Sequence, residues 1–264
     1  MSYSITIIIP TYNGDKYISE TIESCLNLNY INYKLLVIDD CSNDKTFERV
    51  SNFTSDKITI VKNKVNLGLT KNINKALSFV ESDYFILLGQ DDLLDKEHLN
   101  IMTKCIDTDT AIVHCNSYII DKNNQKIGVS RIDNIQIKKT KSAMLELSID
   151  NFISSTGMLQ KTSVFNMAGG WDENYKNFGE WLFYIKALDF GGIKYTSEIR
   201  AYYRRHDTNI TNTFTIKNVS KSVDLYKKYC RLFAWNKVNK SLNIVMYYYF
   251  KTLIRHIKYI RNGN

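Results

Sequence analysis

DYFILLGQDDLLD, residues 83–95, is the stretch on which the fold turns. An apolar and aromatic run, Tyr84 to Leu88, opens into Gly89, Gln90 and two adjacent carboxylates, Asp91 and Asp92. A short apolar run bounded by turn residues reads as a buried strand. In open α/β proteins ligands collect just beyond the carboxyl ends of such strands, and paired acids there suit a divalent cation and phosphate. Taken alone, the pair has two open readings: that site, or a loop that caps the helix expected to start near Asp95.

The upstream sequence repeats the pattern. Ile5 to Ile9 is a continuous apolar run that stops at Pro10, Thr11, Tyr12, Asn13 and Gly14, and Pro10 is the one proline in 264 residues. Ile18, Ile22, Cys25 and Leu26 then recur on one face of a helix. A second strand, Leu35 to Ile38, ends in Asp39 and Asp40, and Asp44 with Thr46 can start another helix. Ile58 to Val61 is the third strand, followed by Asn66, Leu67, Gly68 and a helix carrying Ile73, Ala76, Leu77 and Val80. Four strands alternating with helices predict an α/β fold with a parallel sheet built from right-handed crossovers. The polar strand ends, Thr11 and Asn13, Asp39 and Asp40, Asp91 and Asp92, should then share one edge. A carboxylate at the second end can accept a uracil N–H, and the third pair can hold a ribose hydroxyl and a cation.

Other nucleotide folds are excluded by their missing loops. The chain has no GxGxxG for a dinucleotide and no GxxxxGK[ST] for a P-loop. PTYNG also replaces the glycine-rich basic loop of a sugar nucleotidyltransferase.

PTYNG (10–14), VIDDCSNDKT (37–46), NLGLTKNINKAL (66–77) and GQDDLLD (89–95), in this order and at these separations, resemble the nucleotide-sugar half of the family 2 glycosyltransferases. STGMLQKTSVFNMAGGWDENY (155–175), FGEWLFYIKAL (178–188) and AYYRRHDTNIT (201–211) continue the likeness through about residue 213. The resemblance implies a GT-A fold, a Rossmann-like, mostly parallel sheet flanked by helices, here with a C-terminal helical tail. Its implied divisions are a catalytic domain at 1–216, with a nucleotide-sugar half at 1–105 and an acceptor half at 106–216, and a tail at 217–264.

Carried over by position, the resemblance implies that Pro10, Thr11, Tyr12 and Asn13 line a nucleoside pocket with Asn66 and Gly68. Asp40, with Asp39 beside it, would meet the base, and Lys71 would lie near the nucleotide. Asp91 would approach the ribose or donor sugar, and Asp92 would bind Mn²⁺ or Mg²⁺ with His206 nearby. Gln90 stands where the family has its first acid, which leaves two charges at the site. Arg204, beside Arg205, would face the diphosphate.

The implied chemistry is inverting transfer of a sugar from a nucleotide diphosphate, UDP being expected, to a glycan or lipid-linked glycan of a bacterial capsule, lipopolysaccharide or exopolysaccharide. Departure of the diphosphate leaves negative charge on its oxygens, and a hard cation stabilises it. The acceptor hydroxyl must lose a proton to a base on the opposite face. Glu180, at the start of a helix striped by Trp181, Ile185 and Leu188, is the candidate base; a carboxylate favoured by the helix dipole is the alternative. Gly170, Trp171 and Asp172, with Gly169, would form an acceptor-side loop, Trp171 either stacking on a sugar or anchoring the loop in the core. His98, His114 and His256 read as structural.

Composition places the charge. Net charge is +8, yet residues 217–264 hold eleven Lys or Arg against one acid, Asp224, while the remainder holds 24 basic and 26 acidic residues, a net of −2. The slightly acidic body argues against the rival reading of a nucleic-acid-binding protein. A catalytically silent sugar-nucleotide binder is the second rival, opposed by the presence of Asp92, Glu180 and His206. The tail is amphipathic, with Val219, Val223, Tyr226, Cys230 and Phe233, then Leu242, Met246, Tyr249, Leu253, Ile257 and Ile260, and with Lys251, Arg255 and Lys258 opposite. Basic amphipathic helices lie on anionic lipid, so the tail has three readings: a membrane surface, packing on the catalytic domain, or a homodimer interface. Five cysteines without CxxC, no room for a signal peptide and no apolar run of about 18 residues predict a cytoplasmic enzyme held peripherally on the inner face of the plasma membrane.

Overall fold

Apolar runs buried on both sides make the centre of the molecule. The computed structural model describes residues 2–130, 143–144, 147–148, 151, 153–174, 179–207, 209 and 234. The order is β1 (Ile5–Thr11), α1 (Ile18–Leu26), β2 (Tyr33–Asp39), α2 (Thr46–Ser51), β3 (Ile58–Lys62), α3 (Leu69–Leu77) and β4 (Tyr84–Leu87). It continues through β5 (Leu93–Leu94), α4 (His98–Lys104), β6 (Thr110–Ile120), β7 (Lys126–Val129) and β8 (Leu159–Lys161). α5 (Thr162–Ala168), α6 (Gly179–Ala187) and β9 (Gly192–Arg204) complete it.

The strands form one sheet in the order β3-β2-β1-β4-β8-β6-β9-β5, with β7 against β6. Strand alternation divides its side chains between two layers. Ile8, Leu36, Ile38 and Phe85 point to one face, where α3, α5 and α6 cover them with Ile73, Phe165 and Phe183. Ile5, Ile7, Ile9, Leu35, Val37 and Ile86 point to the other, covered by Ile18, Ile22 and Cys25 of α1 and Leu99 of α4. Sandwiching between two helical layers is why these strands read as unbroken apolar runs instead of alternating ones.

β1, β2, β3 and β4 pair in parallel, as expected. Beyond β4 the parallel pairing continues in β6 with β9, as expected, and antiparallel strands join it. β8 lies antiparallel to both β4 and β6, β7 is antiparallel to β6, and β5 is antiparallel to β9, so the whole sheet is mixed. The β6–β7 connection shows the reason: a tight turn in which Asp121 N–H bonds the Gln125 carbonyl at 3.0 Å gives an antiparallel neighbour without a crossover helix.

Pro10 does not end β1 but lies inside it, opposite Ile38. The Ile8 carbonyl bonds Leu88 N–H, so even-numbered residues of β1 face β4, and the last β1–β4 pair is Ile8 with Leu87. Pro10 arrives where β4 has ended and no donor is needed. The tail expected at 217–264 lies outside the described residues except for Ala234, which is fully buried in the core layer of Trp181, Phe183 and Phe165. Among the described residues no helix is long and apolar enough to cross a membrane.

Candidate active site

Parallel register brings the polar strand ends together. Thr11 sits opposite Asp39 in the β1–β2 pairing, and the Asp40 N–H bonds the Thr11 carbonyl at 2.8 Å. β4 ends one residue before Leu88, so the turn Gly89 to Asp92 emerges beside the Pro10–Gly14 loop. A cavity of about 630 Å³ opens there, lined by Thr11, Asn13, Asp40, Asn66, Asp91 and Asp92 among others.

The last strand returns a distant segment to this place. Leu93, next to Asp92, pairs with Tyr202 of β9, so Arg204 and His206 arrive beside the acids although more than a hundred residues separate them in sequence. His206 Nε2 lies 2.7 Å from Asp91 Oδ2, and Asn209 Nδ2 donates to the same oxygen at 3.1 Å. Asn209 Oδ1 in turn accepts the His206 N–H at 2.6 Å, fixing the loop. The Tyr17 ring packs against the imidazole with centroids 4.8 Å apart.

Asp91 and Asp92 are neighbours in unlike surroundings. Asp92 is buried, accepting the Arg204 backbone N–H at 3.0 Å and the Thr156 hydroxyl at 3.4 Å. Burial first, and the Asp91 charge second, raise its carboxyl well above the usual carboxylate range. Two carboxylate oxygens, Asp92 Oδ2 and Asp91 Oδ1, lie 2.9 and 3.1 Å from the point where a Gly89 side chain would begin. Only a glycine leaves that space open.

This donor set fits a hard divalent cation. Two oxygens converge on a small gap, their mutual repulsion is relieved by positive charge, and an imidazole stands beside them. Among the described residues no three His, Cys, Asp or Glu side chains form a cage by themselves.

Asp40 is built into the wall. Its Oδ1 accepts Asn63 Nδ2 and the Leu67 N–H, both at 2.8 Å, and its Oδ2 accepts the Gly68 N–H at 2.8 Å. Gly68 takes φ +80°, a conformation that favours glycine, so the Asn66–Gly68 turn can aim two N–H groups at one carboxylate. Oδ2 keeps a lone pair for an N–H donor in the cavity.

Several expected residues lie elsewhere. Asp39 is fully buried behind the cavity, where its carboxylate accepts the Ser42 N–H at 3.2 Å and the Ser42 hydroxyl. Lys71 projects from α3 into solvent and does not line the cavity. Arg204, expected to face the diphosphate, is completely enclosed: Nε donates to the Asp91 carbonyl at 2.8 Å, and one terminal nitrogen pairs with Glu20 at 2.9 Å. Its guanidinium also covers the Tyr17 ring at 4.6 Å, so every side of it is occupied by protein.

The acceptor-side candidates form a second group. Trp171 is buried in the core, 6% exposed, which matches the anchoring alternative and leaves no open ring face for a sugar. Asn74 of α3 clamps it, donating to the Trp171 carbonyl at 2.9 Å and accepting its N–H at 3.2 Å. Gly170, at φ +69°, packs on Asn74 and Phe165, and Gly179 packs on the Asp172 backbone. Glu180 follows in the first turn of α6, outside the lining of the cavity. Burial pushes its carboxyl up to about 7, while a 3.3 Å bond from the Tyr184 hydroxyl works the other way. α3 joins the two groups: its first turn lines the cavity through Leu69 and Asn72, and Asn74 holds the Trp171 loop.

Sequence reasoning missed Gly14, Lys16, Tyr17, Asn72, Tyr203 and Asn209, all of which line the cavity. Asn72 carried a signal: it is a polar residue on the apolar face of α3, where it bonds the Ile38 carbonyl at 3.3 Å and accepts from Asn63. The place of Tyr203 and Asn209 depends on the β5–β9 pairing, which no local pattern announces.

This sheet, with its acid-bearing turn at the end of β4, defines the chain as an α/β protein of the GT-A glycosyltransferase class. The chain belongs to glycosyl transferase family 2, whose pattern matches residues 6–166. It is 30% identical over 213 residues to an uncharacterized glycosyltransferase of Rickettsia typhi, covering 79% of this chain and 66% of that one. It is 26% identical over 260 residues to the Escherichia coli UDP-Glc:alpha-D-GlcNAc-diphosphoundecaprenol beta-1,3-glucosyltransferase WfaP, covering 96% of this chain and 95% of that protein. Among solved structures, S. aureus TarS 1–349 in complex with UDP-GlcNAc superposes with a TM-score of 0.70 at 19% identity, over 91% of this chain and 72% of that one. The mannosyltransferase PcManGT from Pyrobaculum calidifontis, in complex with GDP-Man and Mn²⁺, gives 0.61 at 14% identity, over 100% of this chain and 83% of that one.

Proposed function

We propose that this chain transfers a sugar, with inversion, from a nucleotide diphosphate to a glycan acceptor in bacterial surface-polysaccharide synthesis. The observation that carries the reading is the meeting of three strand ends, at Thr11 and Asn13, Asp40, and Asp91 and Asp92, around one cavity. UDP is the expected nucleotide: Asp40 Oδ2 suits the ring N–H of uracil, and WfaP is named for a UDP-glucose donor. An acceptor carried on a lipid diphosphate follows from the same name.

Asp91 and Asp92, with His206, are the residues that would hold Mn²⁺ or Mg²⁺. When bound, such an ion stabilises the charge of the departing diphosphate as a Lewis acid. The chain's own residues do the rest. Asn13 and Asp40 orient the nucleoside, and Lys16 supplies positive charge at the cavity wall. Glu180 is assigned the acceptor base: a carboxyl near 7 can take a proton at neutral pH and release it again. Apart from Ala234, which packs in the core, residues 217–264 are assigned to an anionic membrane surface at the cytoplasmic side, which would bring the enzyme to a lipid-linked acceptor.

A thermal-shift panel of UDP, GDP and their sugars, with Mn²⁺ and with chelator, tests the reading. UDP species should raise Tm by a few degrees in Mn²⁺ and less without it. No shift with any nucleotide would refute a donor site. Full-length protein should bind vesicles containing anionic lipid and protein lacking residues 241–264 should not; retained binding by the shortened form contradicts the role of the tail.

A further inference from the structure

The residue before the two aspartates departs from the family pattern, and its surroundings explain why. Gln90 Oε1 accepts the Thr11 hydroxyl at 2.7 Å and the Tyr12 N–H at 2.9 Å. Its Nε2 donates to the Tyr12 carbonyl at 3.2 Å. The Gln90 main-chain carbonyl accepts the Thr21 hydroxyl of α1 at 2.9 Å. The side chain also fills the space left by Gly14, where an added Cβ would lie 2.3 Å from Oε1.

An amide is required here, because it presents an acceptor and a donor from the same end. Tyr12 offers an N–H to one and a carbonyl to the other. A carboxylate in this position would keep the first partner and set an anionic oxygen against the Tyr12 carbonyl. Thr11, Tyr12, Gly14, Gly89, Asp91 and Asp92 all line the cavity, so the bridge joins its two walls.

We infer that Gln90 is a positioning residue whose neutral amide locks the Pro10–Gly14 loop to the acid-bearing turn, and that it is not the remnant of a lost metal ligand. The inference rests on the donor-site reading of this cavity. The lock sets the spacing between the nucleoside wall and the acids that face the diphosphate. Loosening it should therefore weaken nucleotide binding whether or not a cation is present. A restored acidic ligand would act with the opposite sign and only in the presence of metal.

The test uses Gln90→Glu and Gln90→Met in the full chain, with UDP titrated calorimetrically in chelator and in Mn²⁺. Both variants should bind UDP roughly 3- to 10-fold more weakly under both conditions, the range expected for losing one such hydrogen bond. Donor KM should rise in step while kcat changes less than about twofold, the split expected for a lost ground-state contact. Hydrogen exchange of the Tyr12 amide, measured without any ligand, should accelerate in Gln90→Met. Tighter UDP binding by Gln90→Glu in Mn²⁺ alone would overturn the inference in favour of a restored ligand. Unchanged affinity with unchanged Tyr12 exchange would overturn it outright. Wild-type protein that binds no UDP refutes the donor-site reading instead, and the exchange measurement then decides the lock by itself.

Discussion

The proposed donor side and the proposed acceptor side of this molecule are built on different principles. On the donor side, Thr11, Asp40, Asp91 and Asp92 stand at or just beyond the ends of parallel strands, and strand register sets their position: Thr11 faces Asp39, and Asp91 follows β4 by a short turn. On the acceptor side, Trp171 is held by a side-chain clamp, Asn74 on its backbone, and Glu180 starts a helix with Tyr184 bonded to it one turn on. The first region can lose a side chain and keep its frame. In the second, the same residues serve as frame and as candidate chemistry. Substitutions of cavity-lining residues on the donor side should therefore change binding with little change in stability, whereas those on the acceptor side should mix the two.

The largest expected effect is at Asp92. Asp92→Asn should lower turnover by a factor of about 10³ or more, since it removes a carboxylate that would hold the cation against the departing diphosphate. Its melting temperature should hold or rise, because a buried carboxylate beside Asp91 is relieved. Turnover within tenfold of wild type would remove Asp92 from the site.

Glu180→Gln should cut transfer by roughly 10² to 10⁴ while leaving UDP affinity unchanged, as for loss of a general base. In the wild type, rate should rise with pH through about 7 as this carboxyl ionises. Stability follows the opposite course. The folded value lies above the unfolded one, so the contribution of Glu180 is complete below the ordinary glutamate range and is lost as pH rises through about 7. Glu180→Gln should accordingly melt higher than wild type at pH 8 and about equally at pH 4. A variant with full activity and an unaltered pH–rate profile contradicts the base assignment.

Arg204→Met sharpens the comparison, because Arg204 belongs to the frame of the donor side. The change leaves the Asp91 carbonyl without its side-chain donor and Glu20 with Asn124 alone, and should cost about 2 kcal/mol of stability, read by urea unfolding. An unfolding midpoint equal to wild type would show that the buried guanidinium does not organise the turn. The smallest effect is at Lys71. Lys71→Ala, on an exposed face of α3, should change stability by less than about 0.5 kcal/mol and leave UDP affinity within twofold.

The same contrast explains how much could be read from sequence. β1, β2, β3, β4 and their helices were legible because strands buried on both faces leave continuous apolar runs, and each run here ends in a marked polar cluster. Asp39 and Asp40 together, and the Asp91–Asp92 pair, were put at one sheet edge by that logic. Asp39 and Asp40 are adjacent and chemically alike, and only the pleat decides that Asp39 turns inward to Ser42 while Asp40 faces the cavity. Arg204 has the residue type of a phosphate ligand, yet the β5–β9 pairing carries it under the turn toward Glu20. Gln90 looked like a subtraction from an acidic motif because its partners, Thr11 and Tyr12, lie almost eighty residues earlier in the chain.

The central claim is that separate strand ends make one site for a nucleotide diphosphate and a divalent cation. Hydrogen exchange with and without UDP and Mn²⁺ tests it most directly. Protection confined to residues 10–17, 39–42, 66–72, 89–92 and 203–209 is the predicted footprint. Protection elsewhere on the molecule, or none in these five segments while the nucleotide is demonstrably bound, would contradict it.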